Sequence, residues 1–190
     1  MRPIYILVFF LTFTSCKQAK QIDSFQIKNL KYTAYSFRMS LDSAELYIAH
    51  YLEINKSGRY ICMRHNSFND KAQYFRGSIN DTIFSRINST LIETTFKNTY
   101  YFKHPNSVLY CGFNYCLDYE TKTGIKKTIQ FVPSQSPTQI KILSALFDTL
   151  IYSTNKTKIQ PFQIDSYKNK IKSLNLMVPP APTMREQLKF

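Results

Sequence analysis

The feature that most constrains this chain is a two-residue alternation of side-chain character. Between Glu45 and Asn55, one side of the chain carries Leu46, Ile48, His50, Leu52 and Ile54. The other carries Glu45, Tyr47, Ala49, Tyr51 and Glu53. Residues 108–120 repeat the pattern at greater length. Leu109, Cys111, Phe113, Tyr115, Leu117 and Tyr119 alternate with Tyr110, Gly112, Asn114, Cys116, Asp118 and Glu120. Successive side chains of a strand point to opposite faces, so each run predicts a strand with one apolar face. Strands of this kind ask for an antiparallel sheet covered on one side.

The remaining segments fit that plan. Residues 31–41 alternate, with Tyr35, Phe37, Met39 and Leu41 on one side. Asn55-Lys56-Ser57-Gly58 reads as a turn, and residues 59–65 return from it. A tight turn sets Leu52 opposite Ile61 and His50 opposite Met63, which places Ile61 and Met63 on the apolar face. Residues 73–79 form a further strand with Phe75 and Ile79 inward. Asn80 or Asp81 caps a helix reaching residue 94, whose stripe is Ile83, Phe84, Ile87 and Leu91. After the turn Thr121-Lys122-Thr123-Gly124, residues 125–132 return with Ile129 and Phe131 inward. Ser136-Pro137 opens a second helix with Ile140, Leu143, Phe147 and Leu150 at helical spacing.

The order of elements is strands, helix, two strands, helix. It predicts an α+β fold: a single antiparallel sheet of five to six strands with both helices packed on one face. The other face is left to solvent or to a partner. The α+β domain is expected over residues 31–152. Residues 153–190 read as a partly irregular C-terminal extension, Lys- and Asn-rich, with an extended Val178-Pro179-Pro180-Ala181-Pro182 segment.

Composition narrows the function classes. The 190 residues suit one domain, and 44% hydrophobic content is enough for a core. Only 4 glycines are present, and no phosphate-loop, dinucleotide-binding, zinc-protease or nucleophile-elbow motif occurs. Lys and Arg number 25 against 12 Asp and Glu, a formal charge of +13. The lysines are spread along the chain rather than clustered. The charge is therefore read as compatibility with anionic surfaces, and no nucleic-acid partner is expected.

The N-terminus sets the location. Met1-Arg2 is basic, residues 4–13 are apolar with one Thr12, and small residues lead to Cys16. This is the layout of a signal peptide over residues 1–15, too short in its apolar run to span a bilayer. Phe13-Thr14-Ser15-Cys16 resembles the lipobox of bacterial lipoproteins. The resemblance implies cleavage before Cys16 and lipidation there: a diacylglycerol on the thiol and an acyl chain, such as palmitate, on the new amine. Three chains exceed the two signals needed for stable anchoring. Lys17 is not the Asp of inner-membrane retention, which favours the outer membrane. Residues 16–30 then serve as the lipidated Cys and its tether.

Residues 45–152 are similar to a family of small uncharacterised lipoproteins of Bacteroidota. The likeness lies in the strand and turn Tyr51-Leu-Glu-Ile-Asn-Lys-Ser-Gly58 and the strand with an exit glycine Tyr74-Phe-Arg-Gly77. It extends to Ile83-Phe84-x-x-Ile87, the arm Ile125-Lys-Lys-Thr-Ile129 and the Ser-Pro helix. The family's usual Cys-x-x-x-Cys-Pro-like element is missing. The resemblance implies a location and a fold class, not an activity.

Three groups of residues are candidates for chemistry. Tyr47, Tyr51, Tyr60, Arg64, Tyr74, Arg76, Tyr110 and Asn114 are expected on the uncovered sheet face, where rings beside hydrogen-bonding groups suit a sugar or a protein hot spot. Tyr also favours strands, so the same pattern fits a plain sheet surface. Cys62 and Cys116 are the pair that alternation allows as a disulfide. His50 and His65 share a predicted face but lack a third ligand, which fits two histidines at the rim of the core. No catalytic residue, metal or cofactor is assigned. The expectation is a non-catalytic binding or structural module, with the membrane as partner through its lipid and an envelope protein or glycan as ligand. The alternative is an envelope enzyme acting on glycan or peptide.

Overall fold

The computed structural model describes residues 26–39, 44–67, 70–101 and 112–174. The strands are β1 (Ile27–Met39), β2 (Ala44–Asn55), β3 (Arg59–Arg64), β4 (Gln73–Ser78), β5 (Thr99–Tyr100), β6 (Asn114–Thr121), β7 (Lys126–Phe131) and β8 (Thr157–Lys158). The helices are α1 (Asp81–Glu93), α2 (Thr138–Tyr152) and α3 (Asp165–Ser173). The strands form one sheet in the order β5-β7-β6-β1-β2-β3-β4-β8. All pairs are antiparallel except β5 with β7.

This corrects the expected fold. Among the described residues the sheet is mixed and has eight strands rather than five to six, and there are three α-helices rather than two. Both added strands, β5 and β8, are two residues long, below the length at which alternation can be read. β1 begins at Ile27, within the segment expected to be tether, and is the central strand between β2 and β6. The third helix comes from the segment expected to be an irregular extension.

The two sheet faces carry two separate cores. On one face Leu52, Ile54, Tyr60, Leu117, Ile129 and Phe131 pack with Ile87 and Leu91 of α1 and with Ile140, Leu143, Phe147 and Ile151 of α2. Asn80 starts α1, its Oδ1 accepting from the Ile83 N–H at 2.8 Å, a cap worth about 1 kcal/mol. On the other face Tyr35, Leu46, Ile48, Tyr51, Met63 and Cys116 pack with Ile164, Tyr167 and Ile171 from α3 and the segment leading into it. The face expected to be uncovered is thus closed by the chain's own C-terminal part.

Two local irregularities decide which side chain goes where. The β2–β3 connection holds three residues, Lys56-Ser57-Gly58, with Gly58 at φ 71. Asn55 Oδ1 accepts from the Ser57 and Arg59 N–H groups and fixes the turn. Leu52 therefore faces Cys62, and His50 faces Arg64. A one-residue difference in register reverses every side chain of a strand. Tyr60, Cys62 and Arg64 accordingly go to the α1/α2 face, and Met63 goes to the α3 face. The second irregularity is a bulge in β2: Ala34 pairs with His50 and Tyr35 with Ile48, leaving Ala49 unpaired. The extra residue splits the apolar series of β2. His50, Leu52 and Ile54 face α1 and α2, and Leu46 and Ile48 face α3.

Candidate functional site

The expected tyrosine face does not exist as one surface. Tyr51 is 2% exposed, lies under Phe162 and Tyr167, and donates its hydroxyl to Glu53 at 2.7 Å. Tyr60 is on the opposite face, buried against α2, where its hydroxyl reaches the Leu150 carbonyl at 3.5 Å. Arg64 sits on that side too, its guanidinium 5.2 Å from the Phe75 ring and 5.5 Å from the Tyr152 ring. Tyr47, turned by the bulge, meets His65 at 5.3 Å and Phe113 at 6.4 Å between ring centroids. Asn114 is half-buried opposite Tyr35. Cys16 and Tyr110 lie outside the described residues.

The disulfide expectation also fails. Cys62 and Cys116 are free buried thiols in different cores, on opposite faces of the sheet. Burial pushes the Cys62 thiol up, and it pushes Cys116 up to about 12. A thiol so disposed is inert. His50 and His65 do not converge, and no group of three metal-ligating side chains occurs among the described residues.

The structure does bring Tyr74 and Arg76 together. β4 directs both to the α3 side, and β8 is hydrogen-bonded along its edge, with the Ile159 N–H donating to the Tyr74 carbonyl at 2.9 Å. The result is an open groove of about 1020 Å³ at the end of the sheet. Lys71, Gln73, Tyr74, Arg76, Lys158 and Gln160 line it, with Asp70 as its one carboxylate among the described residues. Beyond Ala72, Tyr74 and Pro161, which the two share, the groove continues into a hollow of about 600 Å³ floored by Leu46, Ile48 and Met63 and reaching Tyr47 and His65. Phe162 packs edge-on to Tyr74, with centroids 5.0 Å apart, and holds that ring at the junction. Among the described residues no carboxylate lies within ion-pair distance of Lys71, Arg76 or Lys158.

A second polar cluster lies under α2 and was not expected. His50 Nε2 is 3.5 Å from Asp148 Oδ1, and the Tyr32 hydroxyl donates to the same oxygen at 3.3 Å. His50 is 5% exposed and its Nε2 makes no hydrogen bond. Burial drives both groups towards their neutral forms, His50 down to about 4 and Asp148 up to about 6. Asp148 is the only acidic residue of α2, next to Phe147 of the buried stripe. That was the available sequence signal. A third cluster joins the layers: Asp118 accepts from Lys170 of α3 at 2.7 Å and from Thr128 of β7.

No family model, no curated protein and no solved structure matches this chain. Among the described residues no helix is long and apolar enough to cross a membrane.

Proposed function

We propose that the chain is a membrane-anchored lipoprotein of the cell envelope that works as a binding module, presenting the Tyr74–Arg76 groove to its ligand. The observation that carries the reading is the composition of that groove. An aromatic ring, amides and three cations that have no ion-pair partner among the described residues meet along one open channel, a set suited to recognition. The Phe13-Thr14-Ser15-Cys16 sequence supports the anchor, and Lys17 in place of Asp supports the outer membrane as its site.

The His50–Asp148 pair supports a second reading, an envelope enzyme, because it joins a base to a carboxylate. It has less weight, since the imidazole is enclosed by Tyr32, Tyr115 and Tyr152 and is cut off from the groove by the sheet.

The anchoring is tested by growing cells with labelled palmitate and separating their membranes. The parent chain should carry the label and fractionate with the outer membrane, and Cys16→Ser should lose both properties. Cys16→Ser protein that stays in the outer membrane, with no label in either form, would overturn the anchor.

A further inference from the structure

We infer that the groove binds an acidic saccharide, one whose charge is a carboxylate or a phosphate; this rests on the reading of the groove as a binding site. Charge comes first. Among the described residues, Lys71, Arg76 and Lys158 stand on the groove against one carboxylate, Asp70, and the adjoining hollow adds the ion pair of Lys168 with Asp165. Arg76 offers a planar fork that can grip carboxylate or phosphate oxygens with two parallel hydrogen bonds, while the lysines act as point charges. The chain as a whole, at +13, adds long-range attraction for an anionic ligand.

The uncharged part of the lining separates a sugar from a peptide. Gln73 and Gln160 each carry a donor and an acceptor on one side chain, as a sugar hydroxyl does. Tyr74 supplies a ring at the junction of the two hollows, its position set by Phe162. One common mode for an extended peptide is to add a strand to a free sheet edge. Here the β4 edge is occupied at Tyr74, Phe75 and Arg76 by Ile159, Lys158 and Thr157.

The test uses the full-length chain in detergent at about 150 mM salt, where surface charges more than about 8 Å apart are screened. The probes are an oligogalacturonate, a phosphorylated oligomannose, a neutral glucan of equal length, and an oligoglutamate of equal charge. Binding is read by calorimetry. One or both acidic saccharides should bind, and which one does identifies the charged group. The glucan and the oligoglutamate should bind at least roughly tenfold more weakly. Arg76→Gln with Lys158→Gln should weaken the saccharide roughly tenfold or more, as expected for lost charge-assisted hydrogen bonds. Lys141→Gln on the exposed side of α2 should leave it unchanged. The inference is overturned if neither acidic saccharide binds, if the glucan binds equally, or if Lys141→Gln weakens binding as much as the groove pair. Oligoglutamate binding that the groove pair abolishes would overturn the saccharide and leave the binding groove standing. Loss of palmitate labelling bears only on the anchor.

Discussion

The ring of Tyr60 lies so close to Gly77 that a β-carbon built on Gly77 would sit 2.5 Å from its Cζ and from its hydroxyl oxygen. The two residues are directly paired across β3 and β4. Tyr60 in turn supports α2 through Leu150. The glycine is required because a neighbouring strand's side chain occupies the space above it, and its backbone angles are not the reason.

Gly77→Ala should therefore destabilise the protein by about 1–3 kcal/mol, the range of a core clash that must be relieved by movement. Urea unfolding measures it. Tyr60→Leu should itself cost stability, but the double variant should be less destabilised than the sum of the singles. Strict additivity would show that the contact is not the cause.

The separation of the thiols gives a second expected outcome. In the native full-length chain, iodoacetamide labelling followed by peptide mapping should leave Cys62 and Cys116 unmodified. Tyr167→Ala removes a 4%-exposed ring from the α3 core and should cost about 3–5 kcal/mol. It should open Cys116 to the reagent first, with Cys62 protected until global unfolding. Simultaneous labelling of both would contradict two distinct cores.

The pair of buried His50 and half-exposed Asp148 predicts an unusual pH response. His50 has a folded value near 4 against an unfolded value near 6.5, so its neutral burial costs stability as pH falls from about 6.5 to 4. Asp148 has a folded value near 6 against 3.8 unfolded, so protonation of the folded form adds stability as pH falls from about 6 to 3.8. The two contributions oppose each other over nearly the same window. Asp148→Asn should remove the compensation. The variant's melting temperature should drop more steeply than the parent's between pH 6.5 and 4.5, and calorimetric scans at three pH values would show it. Parallel curves for parent and variant would mean that Asp148 is not perturbed as described.

Much of the local structure was legible in the sequence. β6 and β7 have long, regular alternation, and Leu117, Ile129 and Phe131 are inward as the pattern requires. The stripes of α1 and α2 recur over three turns or more and survive local irregularity. The facing errors in β2 and β3 share one physical cause: side chains alternate with period two, so one extra residue inverts the stretch of strand on one side of it. Reading Lys56-Ser57-Gly58 as a two-residue turn inverted β3, and with it Tyr60, Cys62 and Arg64. Missing the bulge at Ala49 put Leu46 and Ile48 on the wrong face. α3 was hidden for another reason. Its nine residues bury only Tyr167 and Ile171 among charged neighbours, too few repeats to show a period. The candidate groove was half legible: Tyr74 and Arg76, two residues apart on β4, share a face by alternation, but its far wall, Lys158 and Gln160, comes from the segment read as partly irregular.

The position of α3 in the chain has a consequence for the order of folding. Ile164, Tyr167 and Ile171 are among the last residues of the described chain to be synthesised, yet they close the core over Tyr51, Met63 and Cys116 in the middle of the sheet. Until residue 171 emerges from the ribosome or a translocation channel, Tyr51, Met63 and Cys116 lack the cover that α3 and Ile164 supply, and a half-made chain exposes that apolar surface. Such a nascent chain is a natural client for a holding chaperone. This core therefore closes only after every long strand of the sheet has been made.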